Sequence, residues 1–225
     1  MISKFSRWAG IALASSMLGL FVLGTAQAGD EYADLPKAEE GEKVAIFAGG
    51  CFWCIEADFD KIPGVLHTTS GYIGGKNDRP NYQQVSYTET GHFEALHVVY
   101  DPEKVDYDGL LTAFWHSVDP TDDGGMFCDR GSSYRPAIFA VDDEQREKAE
   151  GSLAEIEEAE LLEDPIKTPI LDAGEFWPAE AYHQDYHNTN PLRYSYYRRA
   201  CGRNRRVKEV WGDLAYKGIP KKKKK

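Results

Sequence analysis

The stretch Val44-Ala45-Ile46-Phe47-Ala48-Gly49-Gly50-Cys51-Phe52-Trp53-Cys54-Ile55-Glu56-Ala57-Asp58-Phe59 joins two kinds of pattern. Residues 44–47 are a short apolar run of strand formers, and residues 55–59 read as a helix. The two glycines make the turn, so Cys51 falls where a strand ends and a helix begins. Unsatisfied backbone N–H groups at a helix N-terminus favour negative charge. A thiol placed there is expected to lose its proton more readily, and the thiolate is the reactive form. Cys54 follows one helical turn later on the same face. The arrangement points to sulfur chemistry. Taken alone it also fits half of a zinc site, and a cysteine in a helix is commonly a buried, inert packing residue.

The chain has 225 residues, four cysteines and a formal charge of −11. That length allows one large domain or two small ones with a sizeable core. An acidic chain does not favour nucleic acid or an anionic membrane surface. Four cysteines in this length are too few for a disulfide scaffold and suit redox or metal chemistry better. Residues 1–28 read as a secretory signal peptide: Lys4 and Arg7, then an apolar stretch from Ala9 to Leu23, then Ala26-Gln27-Ala28 as cleavage site. The apolar run is short for a membrane span and no stop-transfer pattern follows. An exported, periplasmic or secreted protein without stable membrane association is expected, in an oxidising compartment.

Residues 29–42 are acidic, carry no apolar period and read as a flexible linker, leaving 43–216 as the folded domain and 217–225 as a Lys-rich disordered tail. Strands are expected at 65–72, 93–100, 136–141 and 166–171. Helices are expected at 108–117 with Asp108 as N-cap, at 142–162, and within 175–187 starting at Pro178. Residues 82–88 fit a strand or a helical turn. Residues 119–133 form a long Gly- and Asp-rich loop of the length that often carries function. Residues 194–215 are basic, aromatic and partly helical. Strands and helices mix without strict alternation, which implies an α+β fold with an open mixed sheet.

Seven ordered blocks between Val44 and Pro191 resemble the A-type peptide methionine sulfoxide reductases. They are Gly50-Cys51-Phe52-Trp53; Gly71-Tyr72-Ile73-Gly74-Gly75; Asn81-Tyr82 with Val85; Gly91-His92-Phe93-Glu94-Ala95; Phe114-Trp115 with Asp119-Pro120; Asp129-Arg130-Gly131 with Tyr134-Arg135 and Pro136-Ala137-Ile138; and Phe176, Ala179-Glu180, His183-Gln184, Tyr186 and Asn190-Pro191. The resemblance implies a two-layer α+β sandwich on a mixed or antiparallel sheet with flanking helices, its nucleophile at a helix N-terminus. It implies reduction of methionine S-sulfoxide, free or in oxidised proteins, with no metal or organic cofactor and a thioredoxin-like dithiol as external reductant; a monomer is expected. It thus implies a protein-repair role under oxidative stress.

A sulfoxide needs a soft nucleophile at sulfur and an acid beside its oxygen. Cys51 matches the family nucleophile and Glu94 the family acid. The apolar neighbours Ala95, Leu96, Val98 and Val99 are expected to keep the Glu94 proton on to higher pH. By the same resemblance Tyr82 and Tyr134 hydrogen-bond the oxygen, Asp129 positions that network, and Phe52 and Trp53 form an apolar wall for the methyl group. The product on Cys51 is a sulfenic acid, which a second thiol converts to a disulfide. Better-known relatives place that thiol in Asn-Pro-x-Gly-Tyr-Cys, whereas this chain reads Asn190-Pro191-Leu192-Arg193-Tyr194-Ser195. The resolving candidates are Cys54, by its Cys-x-x-Cys reach, then Cys201 on the C-terminal segment, with Cys128 beside Asp129 a third.

Two other readings compete. A thioredoxin-like dithiol oxidoreductase explains Cys51 and Cys54 but not the Glu94 block. A zinc-stabilised binding module would use Cys51, Cys54, His183 and His187, but the 128 residues between Cys54 and His183 far exceed the spacing in compact zinc domains.

Overall fold

The computed structural model describes residues 31–221; the expected signal segment, residues 29–30 and residues 222–225 lie outside them. Strand β1 (Lys43–Gly49) passes into helix α1 (Phe52–Phe59) through Gly50 and Cys51. Gly50 turns the chain at φ +78°, and a Cβ there would sit 2.4 Å from Cβ of Met126. That turn therefore needs a glycine twice over.

Strand β2 (Val65–Ile73) leads to α2 (Tyr82–Tyr87), the segment whose sequence fits either state. A capping box decides for helix: the Asn81 side chain accepts from the Gln84 backbone and Gln84 reaches back to Asn81 N. Strand β3 (Phe93–Tyr100) precedes α3 (Tyr107–Trp115). The cap of α3 is Asp106, whose Oδ1 accepts from Gly109 N–H at 2.8 Å, rather than the expected Asp108. Asp108 lies inside the first turn, where a carboxylate faces the positive end of the helix. The long loop holds a small hairpin, β4 (Gly125–Met126) and β5 (Asp129–Arg130), with Phe127 and Cys128 at its tip.

Strand β6 (Pro136–Ala140), helix α4 (Asp143–Glu158) and strand β7 (Ile170–Asp172) form the parallel unit of the fold. Pro178, expected to open a helix, instead ends β8 (Trp177–Pro178), which pairs with β2 through Tyr72↔Trp177 and Gly71↔Pro178. At a sheet edge the missing proline N–H removes no ladder bond. The chain closes with α5 (Tyr186–Thr189), α6 (Pro191–Ala200) and α7 (Arg203–Trp211).

The main sheet runs β7-β6-β1-β3-β2-β8, antiparallel except for the β6–β7 pair. Alternation along β1 sends Ala45 and Phe47 to one face and Ile46 and Ala48 to the other. On the first face Phe47 meets Phe59 of α1 at 5.3 Å and Phe114 of α3 at 5.1 Å between ring centres. Truncating a ring so enclosed costs about 3–5 kcal/mol. On the second face Phe93, Ala95 and Phe139 lie under Phe176, with Leu35 packed against them. In β3, Leu96 and Val98 face α1 and α3 while Phe93 and Ala95 face away. Glu94 has the parity of Leu96, so the pleat aims its carboxyl at the start of α1.

Within the stretch expected to be a linker, Tyr32 bridges Glu180 and Ala33 N–H donates to Ala179 O at 3.0 Å. Within the stretch expected to be tail, Ile219 is buried in the first core. Among the described residues no helix is long and apolar enough to cross a membrane.

Candidate active site

Cys51 is the N-cap of α1, at φ −48° and ψ 119°, and its thiol makes no capping hydrogen bond. The first free N–H of the helix, that of Phe52, donates instead to Glu94 Oε2 at 3.0 Å. A carboxyl from β3 and a thiol from the β1–α1 turn therefore share one helix end. They open into a cavity of about 60 Å³ lined by Cys51, Phe52, Trp53, Tyr82, Glu94, Asp129, Tyr134 and Tyr197. The sequence leads to all of these except Tyr197. A larger groove of about 460 Å³ along Lys61, Pro191, Tyr194 and Tyr216 holds no thiol.

Burial pushes the Glu94 carboxyl up to about 8, against the opposing bond from Phe52 and with the Asp129 charge adding to the rise. Glu94 thus carries its proton at neutral pH, as its apolar neighbours lead one to expect. The two thiols divide differently from the sequence expectation. Burial raises Cys51 well above its ordinary value, and Cys54, Glu94 and Asp129 push the same way. The helix end does not overcome that burial, and its leading N–H is taken by Glu94. Cys54 is lowered to about 7, first by the hydrogen bond with Cys51 and then by Arg203 and Arg198, with burial opposing.

The wall is built by local stacking. Phe52 is buried and lies 4.9 Å from the His183 ring. Trp53 stacks on Tyr186 at 3.8 Å, nearly parallel, and donates from Nε1 to His183 Nδ1 at 3.1 Å. Burial lowers His183 to about 4, so it stays neutral and can accept that bond. The phenols opposite are Tyr82 and Tyr134, both raised by burial and so fully protonated donors. Glu180 holds that side: its carboxylate accepts from Tyr82 N–H at 2.8 Å and from the Tyr72 hydroxyl at 2.9 Å. Asp129, raised by burial, accepts a short bond from the Tyr197 hydroxyl.

Helix α6 closes the site. Arg198 donates to Cys54 O at 3.1 Å and to the buried Asp58 at 2.8 Å. The buried Arg203 donates to Gly49 O and Ser117 O, 2.9 and 3.0 Å. Tyr194, Tyr197, Arg198 and Cys201 recur at helical spacing on one face, a signal in the sequence that could have found Tyr197. Cys201, a resolving candidate in the sequence, is not a free thiol. It is disulfide-bonded to Cys128, with Cα atoms 4.9 Å apart, and its Sγ lies 3.7 Å from Asp129 Oδ2. Cys51 and Cys54 are free thiols. The four residues of the zinc reading separate: His183 serves Trp53, and His187 faces Glu56 and Asp60.

The family model for peptide methionine sulfoxide reductase matches residues 43–215. Peptide methionine sulfoxide reductase MsrA 2 of Rhizobium meliloti is 50% identical over 187 residues, covering 82% of this chain and 91% of its own length. The MsrA of Bacillus licheniformis is 49% identical over 173 residues, covering 77% of this chain and 96% of its own. Among solved structures, methionine sulfoxide reductase A of Corynebacterium diphtheriae superposes with a TM-score of 0.61 at 33% identity, over 68% of this chain and 77% of that one. Reduced Mxr1 from Saccharomyces cerevisiae gives 0.65 at 27% identity, over 69% and 90%. The chain belongs to the peptide methionine sulfoxide reductase family, oxidoreductases that reduce methionine sulfoxide through thiols.

Proposed function

We propose that the protein reduces the S epimer of methionine sulfoxide, free and in oxidised proteins, with Cys51 as nucleophile, Glu94 as acid and Cys54 as resolving thiol. The observation that carries this is the shared helix end: a thiol and a protonated carboxyl held together by Phe52 N–H beside an apolar wall.

The substrate methyl group lies against Phe52 and Trp53, and its oxygen is directed at Glu94, Tyr82 and Tyr134. Glu94 gives its proton to that oxygen as Cys51 sulfur attacks, and recovers one from the Cys51 thiol. The hydroxyl so formed passes from the substrate sulfur to the Cys51 sulfur as the substrate S–O bond and the transient bond between the two sulfurs break; methionine leaves, and Cys51 carries the oxygen as a sulfenic acid. Cys54, lowered to about 7, attacks that sulfur as thiolate. A Cys51–Cys54 disulfide forms and water leaves. An external dithiol protein of the thioredoxin class restores both thiols and becomes oxidised itself. No prosthetic group takes part in these steps.

The export signal read at residues 1–28 supports action outside the cytoplasm, on proteins oxidised there. The direct test is to supply each epimer of a dabsylated methionine sulfoxide with dithiothreitol and follow methionine by chromatography. Turnover of the S epimer alone is expected; equal rates on both would contradict the handed pocket.

A further inference from the structure

A second cluster of ligating groups lies at the other end of α1, outside the cavity. Asp60 caps the C-terminus of α1 and Asp185 precedes α5, while His187 sits within α5. Their nearest ligand atoms all lie within 4.8 Å of one another. His187 Nε2 is 3.4 Å from Asp60 Oδ2. Two ligands at about 2.1 Å from one tetrahedral ion stand roughly 3.4 Å apart.

Carboxylates near a histidine are common at surfaces, but here a buried group points to an ion. Glu56 is 1% exposed, and its Oε2 has no hydrogen-bond partner. That oxygen faces His187 Nδ1 at 3.9 Å, and Nδ1 is itself buried without a partner. Metal-bound histidines are usually oriented by a carboxylate on their second nitrogen. Glu56 stands where that carboxylate belongs, with Nε2 turned to Asp60. Thr68 Oγ1 donates to Asp60 Oδ1 at 2.6 Å and leaves Oδ2 directed at the histidine. The carbonyl end of α1 adds a negative potential favourable to a cation.

We propose that Asp60, Asp185 and His187 bind a divalent first-row transition-metal ion, with Glu56 orienting His187 through Nδ1. One imidazole with carboxylates suits such ions better than Ca²⁺ or Mg²⁺. The ion would tie the end of α1 to α5, whose Tyr186 stacks on the pocket wall at Trp53. It would take no part in the sulfur chemistry.

The test is calorimetric titration of the full chain with Zn²⁺, Cys51 and Cys54 replaced by serine so that the thiol pair cannot compete. One ion per chain is expected. His187→Ala should abolish the site, and Glu56→Gln should weaken it about 10–100-fold. Should the serine replacements disturb the fold, Co²⁺ absorption of the unsubstituted chain probes the same site. The difference between its spectrum and that of His187→Ala should contain d–d bands and no thiolate charge-transfer band. Absence of uptake, or an isotherm unchanged by both His187→Ala and Asp60→Asn, would overturn the site and leave only an ion pair.

Discussion

Glu94 Oε2 accepts the backbone N–H of Phe52, the residue after Cys51, at 3.0 Å. One bond thus fixes the acid against the helix that carries the nucleophile. Glutamine can keep that bond through its carbonyl oxygen but has no proton to give. Glu94→Gln should therefore fold normally and bind substrate, while methionine release in a single turnover slows by roughly 10²–10⁴-fold. Stopped-flow or rapid-quench measurement checks this; a wild-type rate would assign the proton to another group.

The same carboxyl sets a pH dependence. Its folded value of about 8 lies above the ordinary 4.5, so the folded state holds the proton more tightly. Its contribution to stability is full below about 4.5 and is lost as pH rises through about 8. Wild-type protein should lose Tm relative to Glu94→Gln across that window, and the single-turnover rate should fall above pH 8. Parallel melting curves for the two proteins from about pH 5 to 9 would refute the assignment.

Cys54 lies one turn from Cys51, lowered to about 7 by the hydrogen bond with Cys51 and then by Arg203 and Arg198. Cys54→Ser should release one methionine per chain and then stop with a dithiol protein as donor. Alkylation of wild-type protein across pH should label Cys54 before Cys51, read by peptide mass spectrometry.

The Cys128–Cys201 bond closes a separation of 73 residues. In the chain-entropy account a loop of that length contributes about 4 kcal/mol. Cys201→Ser should lower the midpoint of denaturant unfolding correspondingly while the first turnover survives. Retention of the wild-type midpoint would mean that α6 is held by Arg198 and Tyr197 alone.

Tyr197 supplies the hydroxyl that Asp129 accepts. Tyr197→Phe leaves a half-buried carboxylate short of a donor, a loss worth about 1–3 kcal/mol. Steady-state assays should show kcat/KM reduced about tenfold, since each ~1.4 kcal/mol is a factor of ten. An unchanged kcat/KM would remove Tyr197 and Asp129 from the substrate network.

The front half of the site is legible in the sequence because that half is local. The apolar run of β1, two glycines and the following helix place Cys51, and strand parity places Glu94 beside it. Other features depend on contacts distant in the chain. Pro178 reads as a helix start until β2 offers it an edge. Cys51 reads as an activated thiol until the fold buries it, with Cys54 and then Glu94, brought in by β3, pushing the same way. The lowering of Cys54 comes first from its neighbour Cys51, but the arginines that add to it lie 144 and 149 positions away, which no spacing rule reaches. Cys201 reads as a candidate resolving thiol, because nothing near Ala200-Cys201-Gly202 in the chain shows that Cys128 lies against it.

The most direct measurement is a rapid-quench single turnover of the Cys54→Ser protein with methionine S-sulfoxide, a dimedone trap for sulfenic acid, and peptide mass mapping. The account predicts one methionine per chain and one adduct, on Cys51, with neither in Cys51→Ser. An adduct on another cysteine, or methionine released by Cys51→Ser, would contradict it.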